Sequence, residues 1–153
     1  MSTPFILDGK ALAKEIEADL SVRVAALVEK TGTAPTLATI LVGGDPASVT
    51  YVRMKGNACR RVGITPLKIE MPEETTTEEL LKQIDALNAD ENVCGILLQH
   101  PVPSQIDEQA CFNRIAPDKD VDGVNITTFG AMTMKLPSFF SATPFSIVSI
   151  LKH

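Results

Sequence analysis

A strand that is apolar on both faces must be covered on both faces, and this chain contains two such runs. Residues 37–42 and 93–98 are near-continuous stretches of Leu, Ile, Val, Ala, Thr, Cys and Gly, bounded by glycine or polar residues and too short for ordinary helices. Runs of this kind belong to parallel sheets, whose crossover helices shield both sides. A further strand is expected at residues 64–71, and a short one near Val121. Helical segments alternate with these strands, so the spacing predicts βαβ units. The expectation is an α/β protein: a three-layer α/β/α domain with a short, mostly parallel four-stranded sheet.

The helices carry their own start and stop signals. Asp8 caps a helix over about 10–30, with Leu12, Ile16, Leu20, Val24, Leu27 and Val28 as its core-facing stripe and Gly32 as its end. Asp45-Pro46 opens a second helix, with Val49, Val52, Cys59 and Val62 on its apolar face and Gly63 as its stop. Thr76-Thr77-Glu78-Glu79 matches a capping box ahead of Leu80, Leu81, Ile84 and Leu87. A short helix is predicted over 107–115. Thr143-Pro144 then supplies a cap and first turn for a last helix, which stays apolar up to His153 with no stop signal and therefore reads as continuing beyond it.

Composition narrows the possible partners. The 153 residues make one domain by length and carry a net charge of −5, with no basic run. Nucleic acid and anionic membranes need a basic excess that is missing here. Cys59, Cys94 and Cys111 are odd in number, widely spaced and set in apolar stretches, which reads as three buried reduced thiols. With two histidines and no paired-ligand spacing, no metal site is expected. Met1–Phe5 lacks a signal-peptide pattern and no apolar run approaches membrane-spanning length, so the expected compartment is the cytoplasm.

Three stretches exceed what a fold needs. In the second helix Tyr51 and Lys55 are four positions apart, which projects a phenol and an amine from one face. The same spacing also describes an ordinary surface pair. Gln99-His100-Pro101-Val102-Pro103 ends a buried strand abruptly, and a polar residue there serves either as a strand terminator or as a ligand. In Pro117-Asp118-Lys119-Asp120-Val121-Asp122-Gly123 two carboxylates alternate in an extended segment, so Asp120 and Asp122 point to opposite faces. One can face a site while the other serves the loop.

Taken together, Gly43-Gly44-Asp45-Pro46-Ala47-Ser48 with Tyr51 and Lys55, Gly95-Ile96-Leu97-Leu98-Gln99-His100-Pro101-Val102-Pro103, and Pro117 to Gly123 resemble the bifunctional methylenetetrahydrofolate dehydrogenase/methenyltetrahydrofolate cyclohydrolase family. The resemblance implies a strand order of 2-1-3-4 and a folate pocket at the carboxyl ends of the strands. It implies catalytic roles for Lys55, as acid/base, for Gln99, which hydrogen-bonds the lysine, and for Tyr51, which stacks on the folate ring. Asp122 is implied to grip the pterin donors, Leu98 and Pro101 to line the substrate, and Ser48 to be a weaker ligand-shell residue. A lysine with an ordinary pKa of about 10.4 is a poor base at neutral pH, so the role needs burial or a shared proton relay.

The same resemblance implies the order of domains. Residues 1–140 correspond to the folate-binding catalytic domain and 141–153 to the start of an interdomain helix, with the NADP-binding Rossmann domain missing from this chain. NADP, bound by that domain, is the implied cofactor, and tetrahydrofolate one-carbon derivatives are the implied partners of a longer homodimeric protein. This chain alone is expected to lack dehydrogenase activity. It departs from the family's Pro-Cys-Thr-Pro-x-Gly stretch, reading Ser141-Ala142-Thr143-Pro144-Phe145-Ser146. Two other classes share part of the pattern. A short-chain dehydrogenase shares a Tyr-x-x-x-Lys pair but needs a glycine-rich turn after its first strand, and a non-catalytic folate-binding module would bind without turnover.

Overall fold

The computed structural model describes residues 6–153, so the Met1–Phe5 stretch read above for targeting lies outside the described residues. The elements run α1 (Gly9–Thr31), β1 (Thr36–Val42), α2 (Pro46–Val62), β2 (Thr65–Met71), α3 (Thr77–Ala89), β3 (Val93–Leu98), α4 (Glu108–Arg114), α5 (Ile126–Thr133) and α6 (Ala142–Lys152). Local chemistry sets most boundaries. Asp8 accepts from the Lys10 and Ala11 N–H groups, Asp45 from Ser48, and the Thr76–Glu79 capping box closes in both directions. Gly32 and Gly63 end their helices at φ 74° and 83°, in the left-handed region that other residues resist.

The sheet is parallel, in the order β2-β1-β3. Ala38, Ile40 and Val42 point to one face, where they join Ile96 and Leu98 beneath Leu80, Ile84 and Leu87 of α3 and Cys111 of α4. Alternation sends Thr39 and Leu41 to the other face, where α2 packs with Val52, Cys59 and Val62 buried, while Val49, expected on the same apolar face, is exposed. Helices on both sides explain why β1 reads as a solid apolar run.

The fold departs from the sequence reading where distant segments meet. The predicted fourth strand near Val121 is a single bridge between Ile96 and Asp120, so the described sheet has three strands. The Asp120 carboxylate draws the Val124 and Asn125 N–H groups back onto itself, which curls the segment before a strand can extend. Cys94 is exposed, unlike the buried Cys59 and Cys111. A register irregularity pairs Thr36 with Val93 but Leu37 with Gly95, so Cys94 is the extra residue and turns outward.

α1 packs on α2, placing Val24 against Gly63, and Val24 is its sole buried residue among those described. Ile16 and Leu27 of the expected stripe are exposed. α6 begins at Ala142 with Ser141 as its cap residue, two positions ahead of the expected cap Thr143. Pro144 then falls in the first turn, where a helix has no acceptor for the missing N–H. The Ser141 hydroxyl is engaged elsewhere and donates to the Gly123 carbonyl at 3.1 Å.

Candidate active site

The carboxyl end of β3 lies beside the middle of α2. There Lys55, half-buried, donates from Nζ to Gln99 Oε1 at 3.0 Å. Gln99 is 8% exposed and pinned twice: its N–H donates to the Ile40 carbonyl at 2.8 Å, and its Nε2 donates to the His100 carbonyl at 2.7 Å. The second bond orients the amide. With Nε2 spent on a carbonyl, the amide oxygen must face the lysine, since a flipped amide would set donor against donor and acceptor against acceptor. Burial pushes the Lys55 amine below its ordinary pKa, and the negative charge of Asp122 partly restores it. An amine that gives up its proton more readily than an exposed lysine, held by a neutral acceptor and facing a carboxylate, is suited to moving protons.

Asp122 is brought here by a fit between loop and sheet. Gly95 on β3 has no side chain, and a Cβ there would lie 2.5 Å from Val121 Cγ1. Val121 therefore rests on the strand, between Asp120 and Asp122. Asp120 is fully buried and accepts from Val124 at 3.3 Å and Asn125 at 2.9 Å, which gives it the loop-holding role. Gly123, at φ 65°, meets the backbone of 139–141 so closely that a Cβ would lie 2.8 Å from Ser141 N.

The other predicted residues are distributed unevenly. Tyr51, 58% exposed, stands one turn before Lys55 on α2. Pro101 lines a cavity of about 320 Å³ with Gly43, Gly44, Asp45, Glu73 and Pro103. A larger cavity of about 570 Å³, between Pro117–Asp118 and α5, includes none of the predicted residues. Leu98 sends its side chain into the core beneath α3, leaving its backbone at the strand end. Ser48 is 2% exposed and its N–H donates to Asp45 at 2.7 Å, so it sits behind the Gly43–Asp45 turn. His100 pairs with Glu108 at 2.6 Å at the start of α4. Sequence reasoning passed over Lys119, whose ammonium meets three carbonyls near the end of α3, and over the α5 cap Asn125.

These residues do not fit a dinucleotide. In open α/β sheets, pyrophosphate sits at the N-terminus of the helix after a strand. Here the Asp45 carboxylate occupies that place at α2, and its hydrogen bond from the Ser48 N–H holds its pKa below the usual range. A carboxylate ionised at neutral pH repels phosphate. Among the described residues no group of three or more His, Cys, Asp or Glu could hold a metal, and no helix is long and apolar enough to cross a membrane.

An α/β domain with a shielded lysine–glutamine pair at the ends of its parallel strands has the anatomy of an enzyme's catalytic domain. Residues 7–122 match the model for the tetrahydrofolate dehydrogenase/cyclohydrolase catalytic domain, and the chain belongs to that family. It is 64% identical over 149 residues to the bifunctional protein FolD of Acidobacterium capsulatum, covering 97% of this chain and 53% of that protein. Its fold is similar to a 5,10-methylenetetrahydrofolate dehydrogenase from the silkworm Bombyx mori, with a TM-score of 0.95 and 45% identity over 98% of this chain and 52% of that one. A Trypanosoma brucei methylenetetrahydrofolate dehydrogenase-cyclohydrolase, solved with NADP and an inhibitor, aligns with a TM-score of 0.93 at 31% identity, covering 99% and 52%. The chain spans about half the length of these relatives.

Proposed function

We propose that this chain is the folate-binding catalytic domain of a bifunctional enzyme. That enzyme oxidises 5,10-methylenetetrahydrofolate to the 5,10-methenyl compound with NADP and hydrolyses the product to 10-formyltetrahydrofolate. The observation that carries the reading is the Lys55–Gln99 contact, formed by a half-buried amine whose pKa burial has lowered. The substrate of the hydrolytic step is a cationic amidinium. Water adds to its bridging carbon and loses a proton to Lys55 in its unprotonated form, which burial makes easier to reach than in an exposed lysine. Lys55, now an ammonium held by Gln99, returns a proton to the departing ring nitrogen as the C–N bond breaks, and the second water proton leaves as the formyl C=O forms.

In this reading Asp122 accepts from the pterin amino and ring N–H groups, and Tyr51 stacks on the ring system. Pro101 lines the entrance, Leu98 contributes backbone, and Ser48 shapes the turn behind the pocket. Residues 1–140 form the folate domain and 141–153 begin a connecting helix. NADP is held by a second domain outside these residues, a division supported by the half-length match and by the Asp45 carboxylate at α2. Homodimer assembly of the longer protein and a cytoplasmic location belong to the same reading.

The test follows loss of the methenyl chromophore with 5,10-methenyltetrahydrofolate as substrate. Lys55→Met is expected to lower hydrolysis by about 10²–10⁴-fold while folate binding persists, because the apolar stem still packs and only the proton-carrying nitrogen is gone. A variant that keeps half the wild-type rate rules out the acid/base role. Binding with no turnover by the wild-type chain points instead to a folate-binding module.

A further inference from the structure

Asp122 lies in a connection between α4 and α5 without regular secondary structure, yet a carboxylate that recognises a planar ligand edge has to be held in place. Lys119, three residues before it, is tied down more tightly than any other lysine among the described residues. Its Nζ donates to the carbonyls of Asn88 and Asp90 at 2.8 Å and of Leu87 at 3.1 Å. An ammonium has three donors, and here each finds a carbonyl at the end of α3. The Leu87 and Asn88 carbonyls lie in the last turn, where helical partners run out, the Asp90 carbonyl of the cap residue also accepts from the Val93 N–H at 3.1 Å, and α3 has no basic residue of its own in its last turn.

The same residue is fixed through its backbone. The Lys119 carbonyl accepts from the Ile96 N–H at 2.8 Å, which ties it to β3 beside the bridge at Asp120. Lys119 therefore joins the end of α3 to the sheet immediately before the chain runs over Gly95 through Val121 to Asp122. Downstream, Asp120 and Asn125 close the loop, the latter donating from Nδ2 to the Ile115 and Asn113 carbonyls at 2.8 and 3.0 Å. No hydrogen bond or ion pair of the Asp122 side chain is seen among the described residues, so its position depends on these anchors.

We propose that Lys119 is a positioning residue for folate recognition, whose ammonium on the three carbonyls at the end of α3 fixes the loop that presents Asp122 to Lys55. This rests on the folate reading of Asp122. A lysine that only stabilised the fold would leave the electrostatics at Lys55 unchanged, apart from the loss of its own charge.

The experiment is a ¹³C NMR titration of Lys55 in the 153-residue chain, comparing wild type, Asp122→Asn, Lys119→Met and the double variant. Asp122→Asn is expected to lower the Lys55 midpoint by removing an opposing charge. Lys119→Met is expected to lower it too, because the freed loop releases the carboxylate into solvent. The double variant should fall no further than Asp122→Asn alone. The sign is diagnostic, since deleting a cation without moving Asp122 raises a nearby lysine's midpoint. A folded Lys119→Met chain with the wild-type midpoint or a higher one overturns the proposal. Failure of Asp122→Asn to move the midpoint overturns the site reading first and the proposal with it. If Lys119→Met does not fold, Lys119→Gln, which keeps two of the three donors, is expected to give a smaller downward shift, and no shift again overturns the proposal.

Discussion

Lys55 and Gln99 are 44 positions apart in sequence, and Lys55 Nζ donates to Gln99 Oε1 at 3.0 Å. The contact forms where the middle of α2 passes the carboxyl end of β3. Neither residue could make it alone: Gln99 is aimed by the His100 carbonyl, and Lys55 is aimed by a helix that starts at the Asp45-Pro46 cap.

Partial burial of a charged amine costs stability, and the cost has a pH signature. The Lys55 pKa is lower in the folded chain than its unfolded value of 10.5, mainly through desolvation, with Asp122 opposing. Between the lowered value and 10.5 the unfolded chain binds more protons, so this residue's contribution to stability rises with pH through that window. Below it, the full cost of the buried charge is present. Lys55→Met is therefore expected to be more stable than wild type at pH 7, with an advantage that shrinks towards pH 10. Urea denaturation of both chains at the two pH values measures it, and a constant difference contradicts the burial argument.

Asp122 and Asp120 are expected to fail in different ways. Asp122→Ala should weaken binding of a folate by about 1.5–3 kcal/mol, the usual worth of a charge-assisted hydrogen bond, with little change in stability. Asp120→Ala strands the Val124 and Asn125 N–H groups and should destabilise the fold by a similar amount. Calorimetry with folic acid, alongside thermal melts, separates the two. Equal binding losses in folded variants would show that Asp122 is not the carboxylate that recognises the pterin.

Gly95 should tolerate no side chain while Val121 is present. Gly95→Ala places a Cβ 2.5 Å from Val121 Cγ1, and overpacking of this kind costs about 1–3 kcal/mol. Adding Val121→Ala removes the colliding methyl and should recover most of the loss. Chemical denaturation of the single and double variants tests the coupling, and purely additive effects count against the contact.

The 153-residue chain should not reduce NADP in the presence of 5,10-methylenetetrahydrofolate. Hydride transfer needs nicotinamide held at near-attack distance, and the helix N-terminus best placed for its phosphates carries Asp45. The assay follows nicotinamide absorbance, and clear turnover from a homogeneous sample refutes it.

What the sequence determined by itself is largely what neighbours in the chain decide. Asp8 and Gly32 bound α1, Asp45-Pro46 and Gly63 bound α2, and Thr76 with Glu79 opens α3, because caps and left-handed stops act within a few residues. The apolar runs of β1 and β3 declared a doubly covered parallel sheet for the same reason. The motifs around Lys55, Gln99 and Asp122 were legible as a family resemblance, and the family is shown by the match over residues 7–122. Their mutual geometry was not.

Tertiary structure decided everything that depends on registration between distant segments. One irregular residue in the β1–β3 pairing turned Cys94 outward, and the buried carboxylate of Asp120 reduced an expected strand to a bridge. The β-branched run Ile126-Thr127-Thr128 hid α5, whose start is set by the Asn125 side chain accepting from Thr127 at 2.7 Å while its amide reaches back to Asn113 and Ile115. Packing of residues 139–141 over Gly123 engaged Ser141 and moved the start of α6. Lys119 carries no local signal, because the three carbonyls it meets lie at least 29 positions away in sequence. A lysine's partners are set by where the fold gathers acceptors with capacity to spare, and only the assembled chain determines that.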